Sequence, residues 1–522
     1  MVEDLKKTPS YNLWTERWIT VERLDGSLEQ LGLEEALLQA EQLKGLYDTS
    51  PLVVVGIHRL LTAILQDALN IQHQADLGKV WREGRFSREA IEAFGKQFEG
   101  RFDLFSEKEP FLQSADLPLA EGKEDKPVGY LFPEMPTATN ITHYNHGHED
   151  ERILCAACAG RGLVCIPAFA TSGGSGIKPS INGVPPIYVI PGGVTLFESL
   201  AFSLLRPAYF PEMASKEADK AWWRREARVG KSSEAGKVGY LHSLTFPARR
   251  VRLHPILTED TCSRCGKSGD WMVRRMVFAM GESRPKENET WLDPFAAYRL
   301  KENKPPIPIR PGAGKAMWRE YAALFLRGSS KQAKGGIKSV RPRVLEQMSE
   351  LLLEMGEDRA LSLRCVGLRT DMKAKVFEWV EGGFDVPTGL LAAEEGGWRV
   401  QRAIDLASEC AWVIGSTFAE VFRGNSLKSE RFRLIRSRMV DAYWGKLGDV
   451  FREYVLGLDL NETDKTRKME TWWAEQTVRA ARGAFREASE QLPEKAADLA
   501  KRVEGEEKCE RRLNHKRKEF LE

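Results

Sequence analysis

No stretch of this 522-residue chain approaches the roughly 18 to 20 unbroken apolar residues that a membrane-spanning helix requires, so no membrane partner is expected. A charge excess of one sign is missing too. Against 77 basic residues stand 75 acidic ones, and a net charge of +2 provides no global field to gather a polyanion, so any nucleic-acid surface must be local. No apolar run follows the early lysines of MVEDLKKTPSYNLW, which argues against a secretory signal or anchor and makes a cytoplasmic location the expectation. A phosphate-binding loop of the GxxxxGK[ST] type is absent: Gly312-Ala-Gly-Lys315 is followed by Ala316 and Met317. Nothing in the sequence places a Ser-His-Asp triad. The eight cysteines are too few for a disulfide scaffold in a chain of this size, and in a reducing compartment close pairs are better read as metal ligands.

What is present divides the chain. Its length is enough for two or more cores. Asn12 to Leu24 carries tryptophans and β-branched residues before Asp25-Gly26 and suits an opening strand. Leu37, Leu38 and Leu43 read as one helical stretch, and Val53 to Leu65 as a longer buried helix. From 105 to 190, Pro, Gly and Ser punctuate short β-branched segments, the pattern of turns and short strands. KENKPPIPIRP at 301 to 311 reads as an extended linker at a subdomain seam. After about Pro387 the period becomes helical. Ala403, Leu406, Ala407, Cys410, Val413, Ile414 and Phe418 form one stripe, Phe432, Ile435, Met439 and Ala442 a second, and Met469, Trp473, Ala480 and Ala484 a third, while Pro493 suits the first turn of a fourth helix. Four such helices with short breaks predict a bundle, ending in a frayed, charged tract from Glu504 to Glu519.

Cys155-Ala-Ala-Cys158 and Cys262-Ser-Arg-Cys265-Gly266 are two CxxC knuckles, and four thiolates make the closed tetrahedral set that structural zinc prefers. The fold must first bring the pairs together; otherwise they are two unrelated pairs of small buried residues. Gly173-Gly174-Ser175-Gly176-Ile177-Lys178 can expose successive backbone N–H groups to a phosphate or duplex, or simply form a hairpin tip. His143, His146 and His148 beside Glu149 and Asp150 could serve a metal-dependent nuclease, or be an exposed polar loop. Arg423, Lys428, Arg431, Arg433, Arg436 and Arg438 can track phosphates or form a solvated face. Trp222-Trp223-Arg224-Arg225 admits base stacking or a buried tryptophan pair with surface arginines.

Taken in order, NLWTERWITV, ATNITHYN at 138 to 145, CAAC at 155, SGGSGIKPSINGVPP from 172, CSRCG at 262 and GLRTDMKA at 367 resemble the CasA family, the large subunit of the type I-E Cascade complex, across nearly the whole chain. The resemblance implies an α+β fold: a mixed α/β domain over 1–386 with a zinc-knuckle site, then a four-helix bundle over 387–522. It implies a non-catalytic, DNA-reading subunit that recognises the protospacer-adjacent motif in double-stranded DNA, helps to open the duplex for R-loop formation and recruits a helicase-nuclease, while guide RNA pairing reads sequence.

By the same resemblance Gly173, Gly174, Ser175, Gly176 and Lys178 form the motif loop in the minor groove. Asp371, Met372 and Lys373 occupy the tip of a wedge hairpin, where the family usually has glutamine. Asn140, His143, Tyr144 and Asn145 reach toward the CRISPR RNA 5′ handle or neighbouring Cascade subunits. The arginines Arg431, Arg433, Arg436 and Arg438 are candidates for the displaced strand. Cys155, Cys158, Cys262 and Cys265 would hold zinc. A metal-dependent nuclease centred on the histidines and a zinc-stabilised scaffold without DNA contact remain as alternatives.

Overall fold

The computed structural model describes residues 8–118, 125–135, 152–172, 176–211, 218–229, 238–283, 291–302, 304–327, 338–356, 359–371, 375–422, 429–492 and 496–522. An antiparallel three-stranded sheet opens the fold, with Ile19–Arg23 between Leu28–Leu31 and Leu43–Leu46. The turn at Asp25-Gly26 is where the sequence places it. Leu43 belongs to the third of these strands rather than to a helix with Leu37, because the helix Leu33–Leu38 ends before it.

Pro51–Leu69 is apolar all round and is accordingly buried on nearly every side, with Pro51 at its first position and Asn70 closing it in a left-handed conformation. Its length and hydropathy would suit a membrane span, yet it lies inside the fold as a core helix.

A second sheet is organised by Trp271–Met280. On one edge this strand pairs with Asp125–Pro127 and Leu154–Cys155, and on the other with Arg249–Leu257 in a long antiparallel ribbon. The third sheet is a hairpin of Ala360–Thr370 and Val376–Pro387 extended by Tyr188–Pro191. The proline-rich 301–311 segment is not merely a linker: Ile307–Pro308 pairs with Tyr298–Leu300, which also pairs with Lys338–Val340.

Beyond Pro387 the regular elements among the described residues are helices. Glu394–Val421 buries all seven residues of the expected stripe. Ser429–Gly445, Thr463–Ser489 and Ala496–Leu521 pack with it, and a short helix, Gly448–Gly457, lies on Thr463–Ser489 and reaches back to the strand Val376–Pro387. Pro493, expected in the first turn of the last helix, lies outside the described residues. Phe418 stacks on Phe432 at 5.4 Å, and buried polar tips find backbone: Tyr443 Oη donates to Ala407 O at 2.8 Å and Trp473 Nε1 to Ala403 O at 3.0 Å.

Two details differ from the periodicity. Ala442 is exposed, because Tyr443 turns inward in its place. The Glu504 to Glu519 tract is the outer face of a packed helix whose inner face buries Cys509, Leu513 and Phe520, so it is not frayed. Trp318 joins the two regions, its ring 4.7 Å from Phe451 and 5.6 Å from Trp444.

Candidate functional site

Cys155 immediately precedes the helix Ala156–Leu163 and Cys158 lies in its first turn. Strand pairing does what sequence proximity does not. Leu154 pairs with Val273 and Cys155 with Met272, which carries the first CxxC to the turn that joins Arg249–Leu257 to Trp271–Met280. In that turn Gly266, at φ +71°, takes a conformation that a side chain would strain. Its N–H donates to Cys262 O at 2.9 Å, and Cys262 N–H donates to Lys267 O at 2.9 Å. Ser263 bolts the turn to the first pair: its N–H donates to Ile153 O at 2.8 Å, and Ile153 N–H donates to its Oγ at 3.0 Å. Arg264 adds a second bolt through Asp48, which also pairs with Arg161 at 3.6 Å, while the Arg264 guanidinium lies 4.8 Å from the Phe132 ring centre.

The four Sγ atoms of Cys155, Cys158, Cys262 and Cys265 consequently lie within 4.8 Å of one another, and the Cys155–Cys265 separation is 3.7 Å. Bonds of about 2.3 Å to a tetrahedral zinc place sulfurs about 3.8 Å apart, so the set fits that ion. Hydrogen bonding with Cys155 and then Cys158 holds the Cys262 thiol far below its ordinary value, while sharing with Cys155 and Cys262 pushes Cys158 up. A cation in the cluster would take over the role of those shared protons.

The other end of the same ribbon carries the glycine segment. Arg249 and Met280 face each other at its terminus. Lys178 N–H meets Met280 Sδ at 3.2 Å, and the Arg249 guanidinium donates to Lys178 O at 2.8 Å and, from its other terminal nitrogen, to Thr171 O. One buried arginine thus grips both sides of the loop. It has no carboxylate partner among the described residues, and burial lowers its pKa to about 10. Sequence reasoning missed Arg249, since a lone arginine at a strand end has no distinguishing spacing. Gly176 sits at φ +84°, a left-handed position with open space around it; Gly173, Gly174 and Ser175 lie outside the described residues.

The strands that flank the expected wedge segment pair antiparallel, in register from Ala360↔Pro387 to Arg369↔Glu378, with a shift before Thr370↔Val376. Asp371 closes its own turn: its N–H donates to Lys375 O at 3.0 Å, and its Oδ1 accepts from Lys375 N–H at 3.0 Å. Met372 and Lys373 lie outside the described residues. So do Asn140, His143, Tyr144, Asn145, His146, His148, Glu149 and Asp150, and Arg423 and Lys428. Arg431, Arg433, Arg436 and Arg438 are exposed on Ser429–Gly445, on the helical side of the molecule rather than beside the cysteines. Trp222 and Trp223 are buried, and Arg224 and Arg225 pair with Asp67 and Glu282, so this segment is structural and offers no base-stacking surface.

Comparison with known proteins agrees with this arrangement. The family model described as CRISPR-associated protein Cse1 matches residues 12–484. CRISPR-associated protein CasA/Cse1 of Thermus thermophilus is 30% identical over 410 residues, which cover 76% of this chain and 75% of that one. The solved structure of Thermus thermophilus CasA (Cse1) superposes with a TM-score of 0.76 at 26% identity, covering 97% of this chain and 99% of that one. A chain of a CRISPR RNA-guided surveillance complex shares the fold, with a TM-score of 0.69 at 20% identity over 97% of this chain and 100% of that one.

Proposed function

The chain belongs to the CRISPR-associated Cse1 (CasA) family, and on that premise we propose that it is the large, non-catalytic subunit of a type I-E Cascade complex in the cytoplasm. In this reading it recognises the protospacer-adjacent motif in double-stranded DNA, helps to open the duplex, contacts the CRISPR RNA 5′ handle and the other subunits, and recruits a helicase-nuclease. Residues 1–386 form the motif-reading domain and 387–522 a four-helix bundle that tracks the displaced strand.

The observation that carries the reading is the mounting of the glycine segment. Arg249 holds Thr171 O and Lys178 O on the end of a rigid ribbon, so a short, side-chain-poor backbone is presented on a fixed base. Such a base lets backbone amides approach the minor groove closely, where base readout is degenerate and several motif sequences are tolerated. Structural zinc at Cys155, Cys158, Cys262 and Cys265 would brace the far end of that ribbon, roughly 25 Å away at strand spacing. Four thiolates leave no open coordination position, which suits a brace and not hydrolysis.

The test is binding of motif-bearing and motif-scrambled duplexes by the complex reconstituted with and without this chain, at one salt concentration. Discrimination is expected only when the chain is present, and Gly176→Val should reduce it by about tenfold, the size of one lost base-pair readout, with assembly intact. Equal discrimination without the chain would leave it a scaffold.

A further inference from the structure

The helix Ser429–Gly445 turns Ile435, Met439 and Tyr443 into the core and leaves Arg431, Arg433, Arg436 and Arg438 outside. Several cations on the neighbouring helices are matched by carboxylates, while others, such as Arg467, Arg479 and Arg486, are exposed singly without an ion pair among the described residues. Arg399 pairs with Glu470 at 2.7 Å, Lys446 with Glu487 at 2.7 Å, Lys508 and Arg512 with Glu420 at 2.6 and 2.9 Å, and Lys516 with Glu409 at 3.4 Å. Arg431, Arg436 and Arg438 make no such pair among the described residues. The preceding stretch, Arg423 to Lys428, adds two cations and no acid. In sequence, the stretch from Arg423 to Gly445 holds six cations and two acids, Glu430 and Asp441.

Against this face stands Trp412, on the neighbouring helix Glu394–Val421. At 67% it is the most exposed of the large apolar side chains among the described residues. It lines a hollow of about 370 Å³ together with Arg433, Arg436 and Val440. Gly415 lies at the floor, and Arg436 Nε donates to Gly415 O at 2.8 Å, which fixes that guanidinium at the edge of the hollow. Asp441 also lines the hollow and accepts from Ser437 Oγ at 3.4 Å.

We propose that Trp412 is a stacking platform for one unpaired base of a single-stranded nucleic acid whose phosphates run along Arg431, Arg436 and Arg438. The proposal rests on the reading of these arginines as strand-binding and adds to it a second kind of contact with a fixed position. An indole exposed in water gains from stacking on a base, whatever the base, and unmatched cations gain from phosphates through counterion release. A protein partner would need a carboxylate cluster to match the same face. A single strand supplies both chemistries in every nucleotide.

The experiment uses the full chain and a fluorescein-labelled single-stranded oligodeoxynucleotide, titrated over a salt series, with a blunt duplex of the same length as control. Trp412→Ala should weaken single-strand binding by about 5- to 100-fold with an unchanged log–log salt slope, and Trp412→Phe should restore most of it. Arg436→Gln should weaken binding and reduce the slope by about 0.7. Wild-type affinity in Trp412→Ala would overturn the platform even if Arg436→Gln weakens binding, which would leave the basic face standing alone. An equal loss on the duplex would also overturn it. Loss of assembly with other subunits at unchanged oligonucleotide affinity would make the face a protein-docking surface instead. If Arg436→Gln and Arg438→Gln alter neither affinity nor slope, the strand-binding reading itself fails.

Discussion

Arg59 and Asp293 meet at 3.0 Å with 1% and 0% of their side chains exposed, whereas Arg482 and Glu510, on the C-terminal helices, pair with 41% of each side chain in water. The contrast extends through both regions. Among the described residues before Pro387, Arg161, Arg249, Arg252, Glu282 and Arg341 are also buried; beyond it the buried polar side chains are threonines and a serine. The body is assembled from segments far apart in the chain, each short and irregular, and directional bonds to charged groups fix their mutual positions. The helices bury continuous apolar stripes and need no such bonds. In the proposed function, a loop presenting backbone to DNA would call for the first kind of construction, and a broad face for a flexible strand for the second.

Removing one partner of the buried pair should have the largest effect. Asp293 accepts both terminal nitrogens of Arg59, the side-chain amide of Asn182 at 2.8 Å and the N–H of Phe295 at 2.9 Å. Asp293→Ala strands the Arg59 charge between the rings of Tyr188 and Phe295, and should destabilise the protein by about 3–5 kcal/mol in urea denaturation. A loss below about 1 kcal/mol would mean that the body tolerates uncompensated charge and that the contrast is superficial.

A smaller effect is expected from His58, which is buried against Ser203 with Nε2 2.8 Å from its Oγ. Burial first, then Arg59 and Arg364, lower its pKa to about 3. The unfolded chain therefore binds a proton below the ordinary histidine value near 6.5 that the folded chain refuses. Stability should fall by about 1.4 kcal/mol per pH unit as pH drops below about 6.5, a loss of about 2 kcal/mol by pH 5. Between pH 6.5 and 5, before most carboxylates titrate, the His58→Gln variant should lose that slope. An identical slope in both proteins would assign the acid sensitivity elsewhere.

The same contrast explains how much of the molecule was legible in its sequence. The stripe from Ala403 to Phe418 follows a helical period and every residue of it is buried, while the run from Val53 to Leu65 is apolar throughout and forms a buried helix. The CxxC pairs were legible as chemistry because their ligand type and spacing are local, although only the strand pairing of Cys155 with Met272 brings them together. Arg249 and Asp293 were not legible: their roles exist only once distant segments meet, and an isolated arginine or aspartate has no period. Asn182 lies within the SGGSGIKPSINGVPP segment read as a DNA loop, yet it bonds Asp293 and Trp291 in the core, so that motif is loop at one end and scaffold at the other. Trp412 did have a signal. It falls between Ala411 and Val413, off the apolar stripe, and a tryptophan out of phase on an otherwise polar helix face is a side chain that the core does not use.

The smallest expected effect closes the comparison from the other side. Arg482 and Glu510 join Thr463–Ser489 to Ala496–Leu521, with Asn514 Nδ2 donating to the same carboxylate at 2.7 Å. Water screens both charges and ordering two long side chains offsets the attraction, so a double-mutant cycle of Arg482→Ala and Glu510→Ala should give a coupling below about 1 kcal/mol. It should shrink further at 1 M salt, where the screening length is about 3 Å. A coupling of several kcal/mol that survives such salt would show that these helices, too, depend on directional charge pairing, and the division between a bonded body and an apolar bundle would have to be redrawn.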